Sequence, residues 1–310
     1  MLAPQDAAPF LAYRGELAAL ATAGCWTVSA LAFTAAARRL GSLALNLVRL
    51  GMAFGLFVLF GWIVRGCALP TDATAHNWLW LSLSGVVGLT LGDLCLFRAL
   101  VLLGPRLTML MMSLVPIITT LIGWVVLGER MALLSGLGML LTVSGVAWVV
   151  MERRPGDAKG NTAVSATGLL LALGGAVGQA VGLILSKLGM EGYDALAATQ
   201  IRTTAALAGF IILFLILRAW PRLTAALRSP AGLGFSALGS FFGPFLGVTL
   251  SLVAVKYTLA GIAATIMAVV PVLIIPFIVI IYRERVSARA VFGALLAVAG
   301  VALLFLWPRN

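Results

Sequence analysis

Charged residues are scarce in this chain, since Asp, Glu, Lys and Arg make up only 10% of its 310 residues. Soluble domains contain about 25% charged residues, so this composition excludes an ordinary water-soluble fold. The chain has one histidine, His76, and three widely separated cysteines, which excludes zinc sites of familiar type and a disulfide framework. It also lacks a GxxxxGK[ST] phosphate-binding loop, so we expect neither a cofactor nor ATP hydrolysis.

Apolar residues dominate instead: they form 62% of the chain, and the mean hydropathy is +1.11. Lipid must be the solvent for most of this surface, and only helices or closed barrels can span lipid. The sequence therefore predicts an all-α integral membrane protein in a lipid bilayer. Its formal net charge is +11, but the cations lie in short loops between apolar runs. Membrane orientation and lipid phosphates explain such cations, so we expect no nucleic-acid partner.

Ten apolar segments have about the 20 residues needed to cross the hydrocarbon core. They are Leu17–Ala37, Leu40–Val64, Asn77–Phe97, Leu107–Gly128, Met131–Met151, Gly160–Ser186, Ala195–Leu217, Ser229–Val255, Tyr257–Tyr282 and Ala290–Pro308. A polar stretch divides them five and five. We therefore assign residues 1–152 to a first five-span repeat, 153–165 to a connector and 166–310 to a second five-span repeat.

The two halves repeat, because a shift of 155 residues brings similar residues into register. The matched pairs are Gly88/Gly243, Gly92/Gly247, Met112/Met267, Pro116/Pro271 and Glu129-Arg130/Glu284-Arg285. A slightly different shift places Arg49 on Arg202. Each half has an odd number of spans, so the second half must enter the membrane upside down. Inverted-topology repeats are typical of secondary transporters, whose sites lie near the bilayer midplane.

A signature closes the fourth span: Pro116 is followed, after eleven residues, by Gly128-Glu129-Arg130. It recurs after the ninth span as Pro271 and Arg283-Glu284-Arg285, and a glycine-rich span follows each copy. Over both halves the chain resembles the EamA-type carriers of the drug/metabolite transporter superfamily. The resemblance implies a ten-span protein of the bacterial inner membrane that exports amino acids or other metabolites. The second copy departs from the signature, with Arg283 in the place of Gly128.

Three charged residues lie well inside the predicted spans: Arg49, Asp93 and Arg202. Insertion scales assign about 2.5–3.5 kcal/mol to such a residue at a helix centre, so it usually faces a cavity or a partner. Arg49 and Asp93 lie toward the same membrane face, which permits an ion pair. Val248 stands where the second half would match Asp93, so Arg202 has no equivalent acid. We expect an arginine to bind an anionic or amphoteric substrate, with a purely structural role as the alternative.

Further side chains near the span centres complete the predicted binding site: Trp26, Ser29, Asn46, Phe97, Gln179 and Phe242. The resemblance implies that spans 1 and 6 line a central cavity, which favours Trp26 and Gln179 among these residues. Pro116 and Pro271, near the middle of spans 4 and 9, predict helix kinks and a role in gating.

Small residues also recur one helical turn apart, as at Gly88/Gly92, Gly178/Gly182 and Gly243/Gly247. This spacing favours close packing of helices within the chain, so we expect a monomer or a weak homodimer. Spans 3 and 8 carry the same glycine pair, which predicts two tightly packed, equivalent helices.

Together these features predict a secondary transporter that moves a small metabolite by alternating access, with export as the expected direction. The alternatives are a proton-coupled multidrug or cation antiporter that uses Asp93 and, less favoured, a membrane enzyme, which would need clustered catalytic groups. Loops after odd-numbered spans hold 13 of the 21 Lys and Arg residues, which places the termini outside the cell. The resemblance implies cytoplasmic termini, so the sequence leaves the orientation open.

Overall fold

A computed structural model describes residues 13–151, 165–282 and 287–306 of the protein. Those residues form helices and connections without strands, and ten helices are long and apolar enough to span a membrane. We number them spans 1 to 10: Arg14–Leu40, Ser42–Arg65, Ala75–Ala99, Thr108–Leu127, Leu133–Met151, Ala166–Gly189, Ala195–Ile216, Pro230–Tyr257, Ala260–Phe277 and Ala288–Phe305. The predicted all-α membrane fold with two sets of five spans is confirmed.

Spans 3 and 8 each contain a π-helical stretch at matching places in the two halves. Span 3 runs through Ala75–Ser84, the π-helix Gly85–Gly92 and the start of Asp93–Met112. Span 8 runs through Pro230–Ser240, the π-helix Phe241–Gly247 and Val248–Tyr257. π-Helical turns are rare and are often found at functional sites. Asp93 and Val248 are the first residues after the two stretches, so the π-helices place them equivalently.

Spans 4 and 9 are each interrupted next to the proline for which a kink is predicted. One helix ends at Met112 and the next is Val115–Leu127, while Ala260–Met267 is followed by Val270–Tyr282. A proline cannot donate to the carbonyl four residues earlier, and its ring collides with that carbonyl. For Pro116 and Pro271 these carbonyls belong to Met112 and Met267, the last residues of the preceding helices. Each proline instead occupies the first turn of a new helix, where no N–H is needed.

The remaining helices are a short segment between spans 7 and 8, Trp220–Ala226, and the full last helix, Ala288–Leu306. Span 3 packs on span 6, span 8 packs on span 1, and span 5 packs on span 10. Each of these pairings joins one half of the chain to the other. The equivalent helices of spans 3 and 8 are therefore tightly packed against the first helix of the opposite half.

Glycines make the contact between spans 3 and 6 possible. A Cβ atom added to Gly178 would lie 2.9 Å from Gly92 Cα, and one added to Gly182 would lie 2.8 Å from Gly88 Cα. No side chain fits at such distances, so the two glycine pairs bring the backbones together, as their spacing predicts. This close approach carries Gln179 of span 6 up to the end of the π-helix in span 3.

Candidate functional site

A cavity of about 390 Å³ lies between the two halves and is lined by residues of spans 1 to 9. Pockets for small molecules have volumes of about 300–1,000 Å³, so this one suits a small metabolite. Leucine, methionine, valine and aromatic side chains form most of its wall. The polar side chains that line it are Ser29, Arg49, Asp93, Ser113, Gln179, Arg202 and Ser251.

Asp93 is the centre of the polar part of the cavity, and it is 5% exposed. Its Oδ2 accepts a hydrogen bond from Arg49 Nη2 in a buried ion pair. Its Oδ1 accepts from Gln179 Nε2 at 3.0 Å, and the same amide donates to the Gly88 carbonyl at 3.3 Å. Both carboxylate oxygens are therefore engaged, and they connect spans 2, 3 and 6.

Arg49 is compensated by more than its ion pair. Its guanidinium carbon lies 5.6 Å from the ring centroid of Phe33 and 5.7 Å from that of Phe97. Aromatic faces at this distance attract a cation, more strongly where water is excluded. The Asp93 carboxylate and the two rings thus hold Arg49 in place on one side of the cavity.

Arg202 has a different environment, although it occupies the matching position in the second half. It lines the cavity and is 5% exposed. Its Nε and Nη1 atoms are buried and have no hydrogen-bond partner among the described residues. Asp93 attracts it electrostatically, but the described residues give Arg202 no ion pair of its own. Because Arg49, Asp93 and Arg202 are the charged residues among the described residues of the lining, these residues give the cavity a formal charge of +1.

Other predicted site residues divide between the cavity and its surroundings. Trp26 and Ser29 line it, and the Ser29 hydroxyl donates to the Gly239 carbonyl at 3.1 Å. Asn46 is 2% exposed and lies outside the lining, with its amide donating to Ser42 in its own helix at 3.0 Å. Phe97 contacts Arg49 from outside the lining, and Phe242 packs edge-on against Phe241, 5.2 Å between centroids.

The two prolines also differ, because Pro271 lines the cavity whereas Pro116 is buried outside the lining. Phe33, Met112 and Met267 also line the cavity, although they are not among the site residues predicted from the sequence. The two methionines match under the 155-residue shift and lie next to the broken helices, so the repeat contained a signal for them. Phe33 carries no such signal, because the first spans of the two halves match poorly.

Comparisons with known proteins agree with this architecture. A family model described as "EamA-like transporter family" matches residues 13–151 and again residues 166–306. One crystal structure of another protein superposes with a TM-score of 0.68, covering 95% of this chain and 97% of that one at 19% identity, which shows a shared fold. The sequence matches no curated protein. Because the family model matches both halves and nearly all of the described residues, the protein belongs to the EamA-like transporter family.

Proposed function

We propose that the protein is a secondary transporter that carries a small metabolite with an anionic group, such as an amino-acid carboxylate, by alternating access. Membership of a transporter family supports the general role. The substrate class rests on one observation: Arg202 lines the cavity, and two of its nitrogens are buried without a hydrogen-bond partner among the described residues. Export across the inner membrane of a bacterium is the direction and location that we propose with it.

The chemistry of Arg202 supports an anionic substrate. A buried guanidinium without a counter-ion is costly, and a bound carboxylate or phosphate would supply both charge and acceptor oxygens. Arginine presents its donors as a fixed planar fork, which matches the two oxygens of a carboxylate. The apolar wall around it would accommodate a hydrocarbon or aromatic body. We therefore favour a carboxylate on an apolar skeleton over a sugar-like molecule.

The antiporter alternative, in which Asp93 exchanges a proton for an organic cation, is less well supported. Both oxygens of Asp93 are already engaged by Arg49 and Gln179. A cation would have to displace Arg49 in a cavity whose formal charge is positive. The net positive charge of the cavity disfavours the entry of a cation.

The broken helices suggest how the cavity could change its access. Ser113 and Val115 line the cavity beside the break in span 4, and Ala268 and Val270 do so beside the break in span 9. Backbone carbonyls at such breaks lack their usual helical donors, and few hydrogen bonds resist bending there. We propose that the two breaks, which the repeat makes equivalent, are the bending points for opening toward opposite faces.

The test is transport by the purified protein in proteoliposomes. We expect uptake of apolar amino acids or organic acids and much weaker uptake of the matching amides, which keep the body but lose the negative charge. Arg202→Gln is the negative control, because it removes the proposed anion-binding group. Asp93 keeps its partner Arg49 in this variant, so no acid is left unpaired. Equal uptake of acids and amides, or uptake of organic cations alone, would overturn the proposed substrate class.

A further inference from the structure

A second polar network lies away from the cavity charges and joins four separate parts of the chain. Lys187 Nζ is 2.6 Å from Glu129 Oε1 and donates to the Thr258 carbonyl at 2.8 Å. The other carboxylate oxygen of Glu129, Oε2, accepts from the Ala260 N–H at 2.8 Å. The Thr258 hydroxyl donates to Glu16 Oε1 at 2.9 Å. We call these five residues the Lys187 network.

Local sequence explains why Glu129 reaches its partners. Gly128 ends span 4 with a φ of +66°, a left-handed conformation that glycine adopts without strain. The chain folds back there, so that the Glu129 N–H donates to the Gly123 carbonyl at 3.2 Å. The Glu129 carboxylate then meets the first N–H of Ala260–Met267, where the helix dipole favours a negative charge. This contact gives the first Gly-Glu-Arg signature a structural role, and the second signature lies outside the described residues.

All members of the Lys187 network lie at one membrane face. Span 1 begins near Glu16, spans 4, 6 and 8 end at this face, and span 9 begins there, since each crossing reverses the direction of the chain. We call it the amino-terminal face. The same five spans contribute residues to the cavity.

The Lys187 network is only one helical turn away from the cavity. Leu183, four residues before Lys187, and Ala264, four residues after Ala260, both line the cavity. Four residues of α-helix rise about 6 Å. The network itself is largely shielded from solvent, since the side chains of Lys187 and Glu129 are 24% and 12% exposed and Glu16 is 2% exposed. It therefore lies at the amino-terminal face, between the cavity and the solvent on that side.

We propose that the Lys187–Glu129 ion pair is the lock that closes the cavity toward the amino-terminal face. This inference rests on the alternating access of the proposed function. Opening that face would separate spans 4, 6 and 9. The ion pair connects the ends of spans 4 and 6, and the Ala260 N–H that donates to Glu129 adds the start of span 9. Replacing one partner leaves the other charge shielded and unpaired, which destabilises the closed state and favours a state in which water reaches that charge.

A cysteine at Ala264 tests the lock without any substrate. Ala264→Cys is placed in a chain whose native cysteines are replaced, and membrane vesicles are treated with an impermeant maleimide. Cys67 is exposed in the connection between spans 2 and 3, so its labelling in a separate variant identifies the amino-terminal face. We expect slow labelling of the Ala264→Cys protein from that face. With Lys187→Met or Glu129→Gln added, labelling should become at least about tenfold faster, because a shielded ion pair has lost one partner.

Two controls separate the lock from general damage. Lys187→Arg keeps the charge and its donors, so labelling should remain slow. Arg130 is exposed, lies next to Glu129 and forms no ion pair among the described residues. Arg130→Gln should therefore leave the labelling rate unchanged. If the single variants do not fold, the same labelling is measured on the Lys187→Met/Glu129→Gln double variant. This variant lacks the ion pair but leaves no unpaired charge, so we expect fast labelling from it as well. Unchanged labelling in folded variants would refute the lock and leave the substrate proposal untouched, since that proposal depends on uptake alone.

Discussion

Arg49 and Arg202 hold matching positions in the two repeats, yet their surroundings differ sharply. Among the described residues, Arg49 is paired with Asp93, lies near two aromatic rings and has one buried nitrogen, Nε, without a hydrogen-bond partner. Among the same residues Arg202 has no ion pair, and two of its nitrogens are buried without a hydrogen-bond partner. The difference comes from one position, where Asp93 in the first half is matched by Val248 in the second. Both repeats therefore carry the equivalent helices and a cation, but only the first carries the acid. We take this asymmetry as the reason that the cavity can attract an anion.

Replacing Asp93 should have the largest effect, because Asp93 is the acid that distinguishes the surroundings of Arg49 from those of Arg202. In Asp93→Asn both arginines lack a counter-ion, and Arg49 becomes an uncompensated buried charge. We expect a loss of about 3–5 kcal/mol in the free energy of unfolding, the usual effect of removing one partner from a buried ion pair. Thermal unfolding in detergent measures it, and the double variant Arg49→Gln/Asp93→Asn should recover most of the loss.

Val248→Asn is the matched control for that experiment, because it places the same amide after the other π-helix and leaves the ion pair intact. An Asp93→Asn protein as stable as the unsubstituted protein would contradict the structural role of the pair. If a folded Asp93→Asn protein lost uphill transport but kept substrate exchange, Asp93 would carry a coupling proton as well.

A substitution at Gly85 acts on Arg202 through the backbone. A Cβ atom there would lie 2.9 Å from the Arg202 carbonyl carbon, so Gly85→Ala must push span 3 away from span 7. We expect a destabilisation of about 1–3 kcal/mol, typical of overpacking, and weaker substrate binding. Gly51→Ala is the control, because no atom lies within 4 Å of its added Cβ. Equal stability of the two variants, measured by thermal unfolding, would show that the close approach at Gly85 is not required.

The exposed ion pair between Arg65 and Asp72 should contribute least to stability. Its loss provides a reference against which the loss of the buried Arg49–Asp93 pair can be compared. Arg65 Nη2 lies 2.5 Å from Asp72 Oδ2, and Tyr193 donates to Oδ1 at 3.0 Å. Slight desolvation alone would raise the pKa of Asp72, but these hydrogen bonds outweigh it and hold the pKa below its usual value. Their stabilisation is complete above the unfolded-state pKa of about 3.9 and disappears as the pH falls through the lower folded-state pKa.

The side chain of Asp72 is 52% exposed, so solvent and salt screen the pair. Asp72→Asn should therefore cost less than about 1 kcal/mol at pH 7, and the difference from the unsubstituted protein should vanish in acid. Thermal unfolding at several pH values measures this effect. A deficit that stays constant down to the most acidic pH would mean that the Asp72 charge does not stabilise the connection.

Much of the architecture was predictable from the sequence, because lipid requires long apolar helices and the repeat fixes their grouping. The contact between Arg49 and Asp93 could be anticipated as feasible, since both charges are costly in lipid and lie toward one face. The π-helices could not be predicted, because the sequence pattern of Gly88 and Gly92 is equally compatible with an α-helix. The bond from Gln179 to Asp93 depends on how closely spans 3 and 6 approach, and the Lys187–Glu129 pair joins distant segments that have no shared pattern.

The most direct test of the asymmetry is substrate affinity measured by calorimetry, with the best carboxylate from the transport panel. We expect Arg202→Lys to bind at least about tenfold more weakly although the charge is kept, because an ammonium cannot reproduce the planar fork of donors. Val248→Asp, which gives the second repeat the acid it lacks, should also abolish tight binding and leave the protein folded. Unchanged affinity in both folded variants would contradict the claim that the unpaired Arg202 is the anion site.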